Sequence, residues 1–343
     1  MSNPFSQFYH IPNSNELLDI AFKRAMKSSA KVSKNAPILI KARKKEYKRI
    51  KVATDELITR ILAIIKSVPL IDEVQEFYRE LASLLVDIDT LKLTLGKLHG
   101  ILPIFNQLER DYSRQLSHIE NPKDADRIRR AAFGRISSII KKQNVNLEYL
   151  NSIRGKLREI PSIDYTMPCI VVAGYPNVGK SSLVKNISTN KKIEVQEYPF
   201  STKSLILGHL AIKRAFDEIK IQIMDTPGIL DRPMHKRNKI ELQAILALRY
   251  ISDLIIFIFD PTPASGYTVD SQIELYHEIK ESFSKDKKID TIIVFNKMDL
   301  AKSKELDYLK QKLDLDTGKY FLTNALTGVN LDQLEGHLKE RYS

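Results

Sequence analysis

The feature that most constrains the fold is a glycine-rich segment that joins two contrasting stretches of chain. It runs from Gly174 through four residues to Gly179, Lys180 and Ser181, after a short β-branched run at 169–173 and before a stretch of helical character. Glycines let backbone N–H groups converge on phosphate oxygens, a lysine neutralises their charge, and a hydroxyl ligates Mg²⁺. A chance glycine-rich turn would match the bare pattern. The flanking strand and helix favour a phosphate-binding loop in an α/β domain.

Further apolar runs in the second half of the chain alternate with stretches of helical character. Several are apolar on both faces, which is typical of strands buried in a parallel sheet. Two consecutive runs are separated by about five residues, which is short enough for an antiparallel hairpin. The sequence therefore predicts a doubly wound, mostly parallel sheet with one antiparallel strand, formed by runs at 169–173, 205–213, 219–225, 254–260, 291–295 and 320–322.

An Asp-Thr-Pro-Gly segment, 225–228, ends one of these predicted strands. The Asp225 carboxylate can hold Mg²⁺ through water, and the Gly228 amide can sense a terminal phosphate. Alone, the segment is equally typical of an ordinary turn, because Asp, Pro and Gly favour turns. Its place downstream of a phosphate-binding loop favours the interpretation as part of a nucleotide site.

Two segments after later strands indicate the base. Asn296-Lys-Met-Asp299 follows the run at 291–295, and a carboxylate there accepts hydrogen bonds from N1 and N2 of guanine, a donor pair that adenine lacks. Asn324-Ala-Leu326 is placed to offer a backbone N–H to guanine O6, although an ordinary loop has the same composition. The order and spacing of the four segments predict an enzyme that hydrolyses GTP to GDP and phosphate.

The nucleotide-binding prediction comprises all residues of the four segments. Lys180, Asp225, Gly228 and Asn177 are also predicted to take part in catalysis. The full set is Gly174, Tyr175, Pro176, Asn177, Val178, Gly179, Lys180, Ser181, Ser182, Asp225, Thr226, Pro227, Gly228, Ile229, Asn296, Lys297, Met298, Asp299, Asn324, Ala325 and Leu326.

The first half of the chain has helical composition and strong positive charge. Residues 1–160 carry a net charge of +11 and residues 161–343 a net charge of +1. The single cysteine, Cys169, excludes an internal disulfide. Apolar residues spaced by threes and fours predict one buried helix face, at Tyr47, Ile50, Leu57, Ile61 and Ile64, with Thr54 as a polar interruption. Helices are predicted after Pro12, capped by Asn13 or Ser14, and at 38–68, 70–98, 104–119, 124–142 and 146–159, forming an antiparallel helical bundle.

Two basic stretches lie in this half. At ~100° per residue, six of the seven cations in the first stretch fall opposite the apolar row, and Arg43 falls in the apolar phase. Such a strip binds phosphates with strong salt dependence, and shape recognition of structured RNA is expected. The competing interpretation of either stretch is an ordinary solvated helix face. The cations are Lys41, Arg43, Lys44, Lys45, Lys48, Arg49 and Lys51, opposed by Glu46, and then Arg127, Arg129, Arg130, Arg135, Lys141 and Lys142.

The four segments resemble the G1, G3, G4 and G5 elements of translation-factor-class small GTPases. Residues 199–204 resemble switch I of the Obg-like GTPases, which implies that Thr202, or as a lesser candidate Ser201, closes over Mg²⁺ and the terminal phosphate. Thr202 therefore joins the residues expected to take part in catalysis. The family resemblance extends to the nucleolar GTP-binding proteins, which assemble large ribosomal subunits. The segments that resemble this family are 225–233, 237–245, 130–143, 147–150 and 157–164. Eukaryotic members continue past the G domain, so this shorter sequence is expected to be an archaeal member.

The resemblance implies an α+β, two-domain protein. A basic helical bundle at 1–166 would dock on ribosomal RNA, and a Ras-like, Obg-type G domain at 167–343 would bind GTP or GDP. Mg²⁺ would be held by Ser181, Thr202 and Asp225. The expected partner is the large-subunit pre-ribosomal particle, contacted near 41–51 and 127–142. We expect a monomer without membrane contact, cytoplasmic in a prokaryote and nucleolar in a eukaryote.

Two other functions remain open at this point. One is a regulatory GTPase whose helical bundle binds an acidic protein surface. The other is a GTPase that places its cationic helix face on anionic lipid. The second is less favoured, because the apolar row opposite the cations suits burial inside a bundle.

Hydrolysis is expected to be slow. The residue after Gly228, where many GTPases carry a water-orienting glutamine, is Ile229, which cannot hydrogen-bond water. Related GTPases with asparagine at the position of Asn177 use K⁺ to stabilise charge, and the simpler interpretation is that Asn177 only holds the loop. Beyond Ile229, three cations either reach the phosphates or RNA, or form a solvated segment: Arg232, Lys236 and Arg237.

Overall fold

The computed structural model describes residues 3–189, 193–199, 204–213, 217–233, 235, 237–284, 288–315, 318 and 320–342. The chain divides into two compact units. The helical unit comprises Pro4–Val74 and Leu85–Arg158. The sheet unit comprises Asn3, Gln75–Leu84 and the described residues from Glu159 onward. Among the described residues, no helix combines the length and the apolar character needed to cross a membrane.

The N-terminal region is helical, as predicted. Asn13 caps the first helix, because its side chain accepts a hydrogen bond from the Glu16 amide while the Glu16 carboxylate accepts one from the Asn13 amide. The helices of this region are α1 (Ser14–Lys27), α2 (Ile38–Ser67), α3 (Glu76–Leu85), α4 (Ile88–Gly100), α5 (Leu102–Ser117), α6 (Pro122–Lys142) and α7 (Asn144–Arg158). Helix α2 contacts α1, α4, α5 and α6.

The predicted apolar row of α2 is its buried face. Ile50, Leu57 and Ile61 are at most 1% exposed, and Thr54 is fully buried among them. The Thr54 hydroxyl donates to the carbonyl oxygens of Lys51 (2.9 Å) and Ile50 (3.2 Å), one turn earlier. The polar interruption is therefore satisfied inside the helix itself and needs no partner in the core.

The single helix predicted at 70–98 is wrong, because the chain breaks there into a short 3-10 turn, α3 and α4. The break precedes Ile88, where the Asp87 side chain accepts hydrogen bonds from the amides of Asp89 and Thr90 and so starts a new helix. No proline or glycine marks this break in the sequence.

Helix α3 belongs to the sheet unit, together with the segment that precedes the first strand. The Tyr78 hydroxyl accepts a hydrogen bond from the Ile163 amide (3.0 Å), and the rings of Tyr78 and Tyr165 lie 5.6 Å apart. Gln222 holds the same segment by bonding both the amide and the carbonyl of Asp164. The boundary predicted at 166/167 therefore falls inside this compact unit, and the docking role of 1–166 stays a prediction.

The sheet unit contains a seven-stranded sheet with the order β2-β3-β4-β1-β5-β6-β7. Strand β3 runs antiparallel to both of its neighbours, and the other pairings are parallel, as predicted. The central strands β1 and β5 are buried along their whole length. The strands are β1 (Cys169–Ala173), β2 (Glu194–Glu197), β3 (Ser204–Lys213), β4 (Glu218–Asp225), β5 (Leu254–Phe259), β6 (Asp290–Phe295) and β7 (Tyr320–Leu322).

Helices follow the parallel strands, as a doubly wound domain requires. Because β1, β4, β5, β6 and β7 run in the same direction, their carboxyl ends lie along one edge of the sheet. The predicted motif residues follow these ends and are therefore brought together there. The helices are α8 (Lys180–Ile187), α9 (Lys239–Ala247), α10 (Val269–Phe283), α11 (Ser303–Lys312) and α12 (Leu331–Tyr342).

Candidate nucleotide-binding site

A cleft of about 610 Å³ lies at the carboxyl edge of the sheet, a size suited to a small ligand. Thr202 lies outside the described residues. Gly174, Tyr175, Val178, Asp225, Thr226, Ile229, Met298 and Ala325 do not line the cleft. The predicted residues that line it are Pro176, Asn177, Gly179, Lys180, Ser181, Ser182, Pro227, Gly228, Asn296, Lys297, Asp299, Asn324 and Leu326.

The glycine-rich loop needs its glycines for conformation and for space. Gly174 and Gly179 have φ values of 138° and 103°, in the region that favours glycine. A Cβ on Gly179 would lie 2.1 Å from the Asn296 side-chain nitrogen, so a larger residue cannot stand there. Asn177 is also left-handed (φ 62°), which asparagine tolerates, and its exposed side chain lines the cleft.

Lys180 is held inside the loop. Its Nζ donates to the carbonyl oxygens of Gly174 and Tyr175, both at 2.8 Å, and the residue is 6% exposed. Burial lowers the pKa of Lys180, and the carboxylates of Asp225 and Asp231 oppose that shift. A buried ammonium group surrounded by carbonyl oxygens is a favourable partner for phosphate oxygens.

Ser181 and Asp225, two of the oxygen ligands expected for Mg²⁺, lie in contact. The Ser181 hydroxyl donates to Asp225 Oδ2, and Asp225 is fully buried at the end of β4. Its Oδ1 atom has no hydrogen-bond partner among the described residues. Burial raises the pKa of Asp225, while the Ser181 bond and Lys180 oppose the shift. One hydroxyl and one carboxylate oxygen with free acceptor capacity fit Mg²⁺, which prefers oxygen ligands and keeps several waters.

Asn296 joins the two ends of the site. Its Nδ2 donates to the Val178 carbonyl (2.7 Å), and its Oδ1 accepts from the Ala325 amide (2.7 Å). The residue is 2% exposed, so these bonds replace hydration that it lost on burial. Asn296 therefore fixes the phosphate-binding loop and the segment after β7 to one another.

The segment after β6 is also held by a residue that sequence reasoning missed. Lys297 has φ 57°, and its Nζ lies 2.6 Å from Oδ2 of Asp260, which is fully buried at the end of β5. This ion pair orients the segment that carries the exposed Asp299 carboxylate. A carboxylate directly after a buried parallel strand was the signal that could have indicated Asp260.

The segment after β7 is held by hydrogen bonds from its own backbone amides. The Asn324 side chain accepts hydrogen bonds from the amides of Leu326 and Thr327, both at 3.1 Å. The Ala325 carbonyl accepts from the Asn186 side chain of α8 at 2.6 Å. These bonds fix the loop at the end of the cleft where the base is predicted, and the predicted contact of a backbone N–H with guanine O6 stays a prediction.

The turn after β4 is tied to the phosphate-binding loop. The Thr226 hydroxyl donates to the Val172 carbonyl (2.8 Å), and the Gly174 amide donates to the Leu230 carbonyl (3.1 Å). Ile229 is 1% exposed and absent from the cleft lining. Its side chain thus packs in the core and cannot face a water molecule beside a phosphate.

Two charged residues of this turn have unexpected positions. The Asp231 carboxylate lines the cleft and accepts a hydrogen bond from the Gly228 amide at 2.7 Å. The Arg237 side chain is 3% exposed and lies 3.7 Å from Asp231. The interpretation of this region as solvated is therefore wrong for Arg237, whereas Arg232 is half exposed and lies 3.6 Å from Glu241. Lys236 lies outside the described residues.

Three residues line the cleft without having been predicted, namely Asp231, Ala264 and Leu300.

Several cations of the first basic stretch are bound within the helical unit. Glu46 is 5% exposed and pairs with Arg49 and with Arg129 of α6, each at 2.9 Å. Lys51 pairs with Glu109 at 3.1 Å, and Arg43 donates to the Ile119 carbonyl. Lys41 donates to the Lys34 carbonyl (2.6 Å). The interpretation of 41–51 as one solvent-facing strip is therefore wrong for Arg49, because its side chain is 15% exposed and pairs with the buried Glu46.

The remaining cations are available to solvent. Lys44 and Lys45 are exposed, Lys48 is half-buried, and none of the three has an ion-pair partner among the described residues. In the second stretch, Arg127 and Arg130 are 80% and 75% exposed, although each pairs with an aspartate of its own helix. The stretch ends in exposed cations, namely Arg135, Lys141 and Lys142.

Comparison with known proteins matches both parts of the chain to one family. A model of the NOG1 N-terminal helical domain matches residues 5–164, and a model of nucleolar GTP-binding protein 1 (NOG1) matches residues 239–299. An uncharacterised protein of the archaeon Methanocaldococcus jannaschii is 35% identical over 301 residues, which are 88% of this chain and 82% of that protein. An archaeal relative is thus among the matches, as the resemblance predicted.

Nucleolar GTP-binding protein 1 of Eremothecium gossypii is 33% identical over 303 residues, 88% of this chain and 46% of that protein. This chain thus spans about half the length of the curated relatives with that name. A solved Plasmodium falciparum structure of the same name is 35% identical, with a TM-score of 0.43 over 53% of this chain and 91% of that chain. The family models and the sequence relatives confirm the resemblance found in the sequence: the chain belongs to the nucleolar GTP-binding protein 1 family.

Proposed function

We propose that this protein is a guanine-nucleotide switch that hydrolyses GTP slowly and acts in assembly of the large ribosomal subunit. The observation that carries the nucleotide part is the set of bonds through Asn296, which joins the phosphate-binding loop to the loops of the predicted base site. Family membership supports the ribosomal part, because the curated relatives are named nucleolar GTP-binding proteins.

Different residues would bind the phosphates and the base, at the two ends of the cleft. Lys180 and the loop amides would hold the phosphates, and the exposed Asp299 carboxylate would accept hydrogen bonds from guanine. Ser181 and Asp225, with Thr202 by family resemblance, would hold Mg²⁺, which neutralises phosphate charge when bound. Positioning and charge stabilisation are the main requirements of phosphoryl transfer, and these residues supply both.

Intrinsic hydrolysis should be slow, because the turn after β4 presents no water-orienting amide group at position 229. The Ile229 side chain is buried, so a rearrangement of this turn or an outside group has to orient the attacking water. Asn177 stays exposed at the cleft and is available to a K⁺ ion. Comparison of rates in K⁺ and in Na⁺ tests that role, and equal rates would exclude it.

The helical unit would dock on ribosomal RNA through the cations that are free of internal partners. Lys44 and Lys45 lie four and three residues before Lys48 on α2, so both share a helix face with Lys48. Removal of one phosphate-binding cation should reduce the slope of log binding constant against log salt concentration by about one. Arg49 and Arg129 should contribute little to this slope, because both side chains are largely buried and pair with Glu46.

Nucleotide binding is tested first, by calorimetric titration of the full chain with GDP, a non-hydrolysable GTP analogue and ATP in Mg²⁺. We expect binding of both guanine nucleotides and none of ATP, with a turnover of GTP well below ~1 s⁻¹, the lower end of the range for kinases. Binding of ATP with comparable affinity would refute the assignment of the base site.

Ribosomal docking is tested by co-sedimentation with large subunits and their precursors, in GDP or the GTP analogue, at two salt concentrations, with and without RNase. A triple variant with alanine at Lys44, Lys45 and Lys48 should lose binding, and the matched triple arginine variant should keep it. Binding that RNase does not remove would indicate a protein partner instead. Absence of binding in every nucleotide state would remove the ribosomal target.

A further inference from the structure

The turn after β4 contains a carboxylate at the place where a terminal phosphate is expected. Asp231 Oδ2 lies 2.7 Å from the Gly228 amide nitrogen and accepts its hydrogen bond. Its side chain is 12% exposed and lines the cleft beside Gly228. Ile229 is buried in the core, and Asp231 is the charged side chain with which this turn lines the cleft.

Arg237 fixes the turn in this arrangement. Its guanidinium group donates to the Ile229 carbonyl and, at 3.5 Å, to the Gly228 carbonyl. The same group lies 3.7 Å from the Asp231 carboxylate and is 3% exposed. A buried cation that donates to two carbonyls of the turn and lies within ion-pair distance of the carboxylate stabilises the Asp231–Gly228 contact.

The carboxylate acts on the phosphate-binding loop as well. Asp231 and Asp225 both favour the charged form of Lys180 and oppose the lowering of its pKa by burial. Asp231 also acts to raise the pKa of Asp225, although burial is the larger cause of that shift. Its charge is therefore felt by two groups that the proposed function assigns to the phosphates and to Mg²⁺.

A carboxylate and a phosphate are both anionic acceptors for a backbone N–H, and one N–H forms one strong hydrogen bond. A terminal phosphate at Gly228 therefore has to displace Asp231, and its negative charge repels the carboxylate that it approaches. A diphosphate lacks the group that would require this amide. The two nucleotides thus differ in whether the turn has to open.

We propose that Asp231 is a specificity-determining residue, which occupies the Gly228 amide as an internal ligand and thereby weakens binding of the triphosphate relative to the diphosphate. This inference rests on the proposed function, in which the Gly228 amide meets the terminal phosphate. Opening of the Asp231–Gly228 contact is then the structural difference between the triphosphate and diphosphate forms of this turn.

The test compares equilibrium affinities for GDP and for a non-hydrolysable GTP analogue, both with a fluorescent label, in the full chain. Asp231→Ala should tighten binding of the analogue roughly tenfold or more, because a charge-assisted hydrogen bond no longer has to break. Its affinity for GDP should change less than its affinity for the analogue, because a diphosphate does not require the Gly228 amide. Asp231→Asn keeps the shape and a weaker acceptor, so it should shift the same ratio in the same direction by less.

The control is Asp307→Ala, which removes an exposed carboxylate of α11 in the same unit, away from the cleft lining. It should leave both affinities unchanged. Retained binding of GDP and an unaltered thermal unfolding transition show that a variant is folded, and Asp231→Asn decides the question if the alanine variant fails this check.

An unchanged or lowered ratio of analogue to GDP affinity in the folded Asp231 variants overturns the inference and leaves the nucleotide site intact. Failure of the unaltered protein to bind either guanine nucleotide overturns the proposed function, and the inference with it. The two failures are therefore distinguished by the unaltered protein alone.

Discussion

Replacement of Glu46 by glutamine should destabilise the helical unit strongly. The substitution keeps the volume of the side chain and removes the charge that Arg49 and Arg129 share at 2.9 Å. The side chains of these three residues are 7%, 15% and 11% exposed. Removal of one partner from a buried ion pair costs roughly 3–5 kcal/mol, because the opposite charge remains without compensation.

The structure places Glu46→Gln at the lower end of that range. Arg129 keeps its pairing with Asp126 and a cation–π contact with Phe133, at 5.2 Å from the ring centre. Arg49 keeps no other charged partner among the described residues. We therefore expect a loss of about 3 kcal/mol in the free energy of unfolding of the helical unit.

Urea unfolding followed by helical circular dichroism measures this loss, with the slope on denaturant concentration as a check that the same surface unfolds. The matched control is Asp55→Asn on the same helix, where the carboxylate is 54% exposed and lies 3.8 Å from Lys51. It should cost less than about 0.5 kcal/mol. If Arg49 and Arg129 were instead solvated and part of an RNA-binding strip, the two variants would be equally stable, and the structural argument would be refuted.

Three further predictions concern the sheet unit. Asn296→Ala should weaken guanine-nucleotide binding about 10- to 100-fold, because a buried carbonyl and amide lose their partner; an unchanged dissociation constant would contradict the joining role. Gly179→Ala should abolish nucleotide binding, whereas Gly336→Ala, where nothing lies within 4 Å of the added Cβ, should stabilise α12 by about 0.5–1 kcal/mol. Burial raises the pKa of Cys169 to about 12. At pH 8 its thiol should therefore not react with a disulfide reagent until denaturant is added. Rapid reaction of the folded protein would disprove this burial.

The strands around the site were predictable because each is a short apolar run, and β1, β4, β6 and β7 each lead into a predicted motif. The six predicted runs correspond to β1, β3, β4, β5, β6 and β7 within one or two residues. The missed strand, β2, is a short edge strand of mostly exposed residues, and Val195 is its only apolar side chain. A strand without a buried face leaves no alternation of apolar and polar residues to detect.

The sequence could not predict which basic side chains form ion pairs inside the helical unit and which face solvent, because the partners lie far away in the sequence. Glu46 and Arg129 are separated by more than eighty residues, and only the packing of α2 on α6 brings them together. Helical periodicity assigns Arg49 to the polar side of α2, yet a neighbouring helix covers that position. A sequence pattern defines the faces of a helix, whereas the number and position of its neighbours decide which faces meet solvent.

The bonds at the carboxyl edge of the sheet suggest why the response to nucleotide should concentrate in one turn. Asn296 fixes the phosphate-binding loop to the segment after β7, and the Lys297–Asp260 pair fixes the loop between them. These bonds involve buried groups, and binding of a nucleotide does not require them to break. The Gly228–Asp231 bond differs, since its donor is the amide that a terminal phosphate would use. Under the proposed function, the base site is therefore built before binding, and the terminal phosphate would act on the turn after β4.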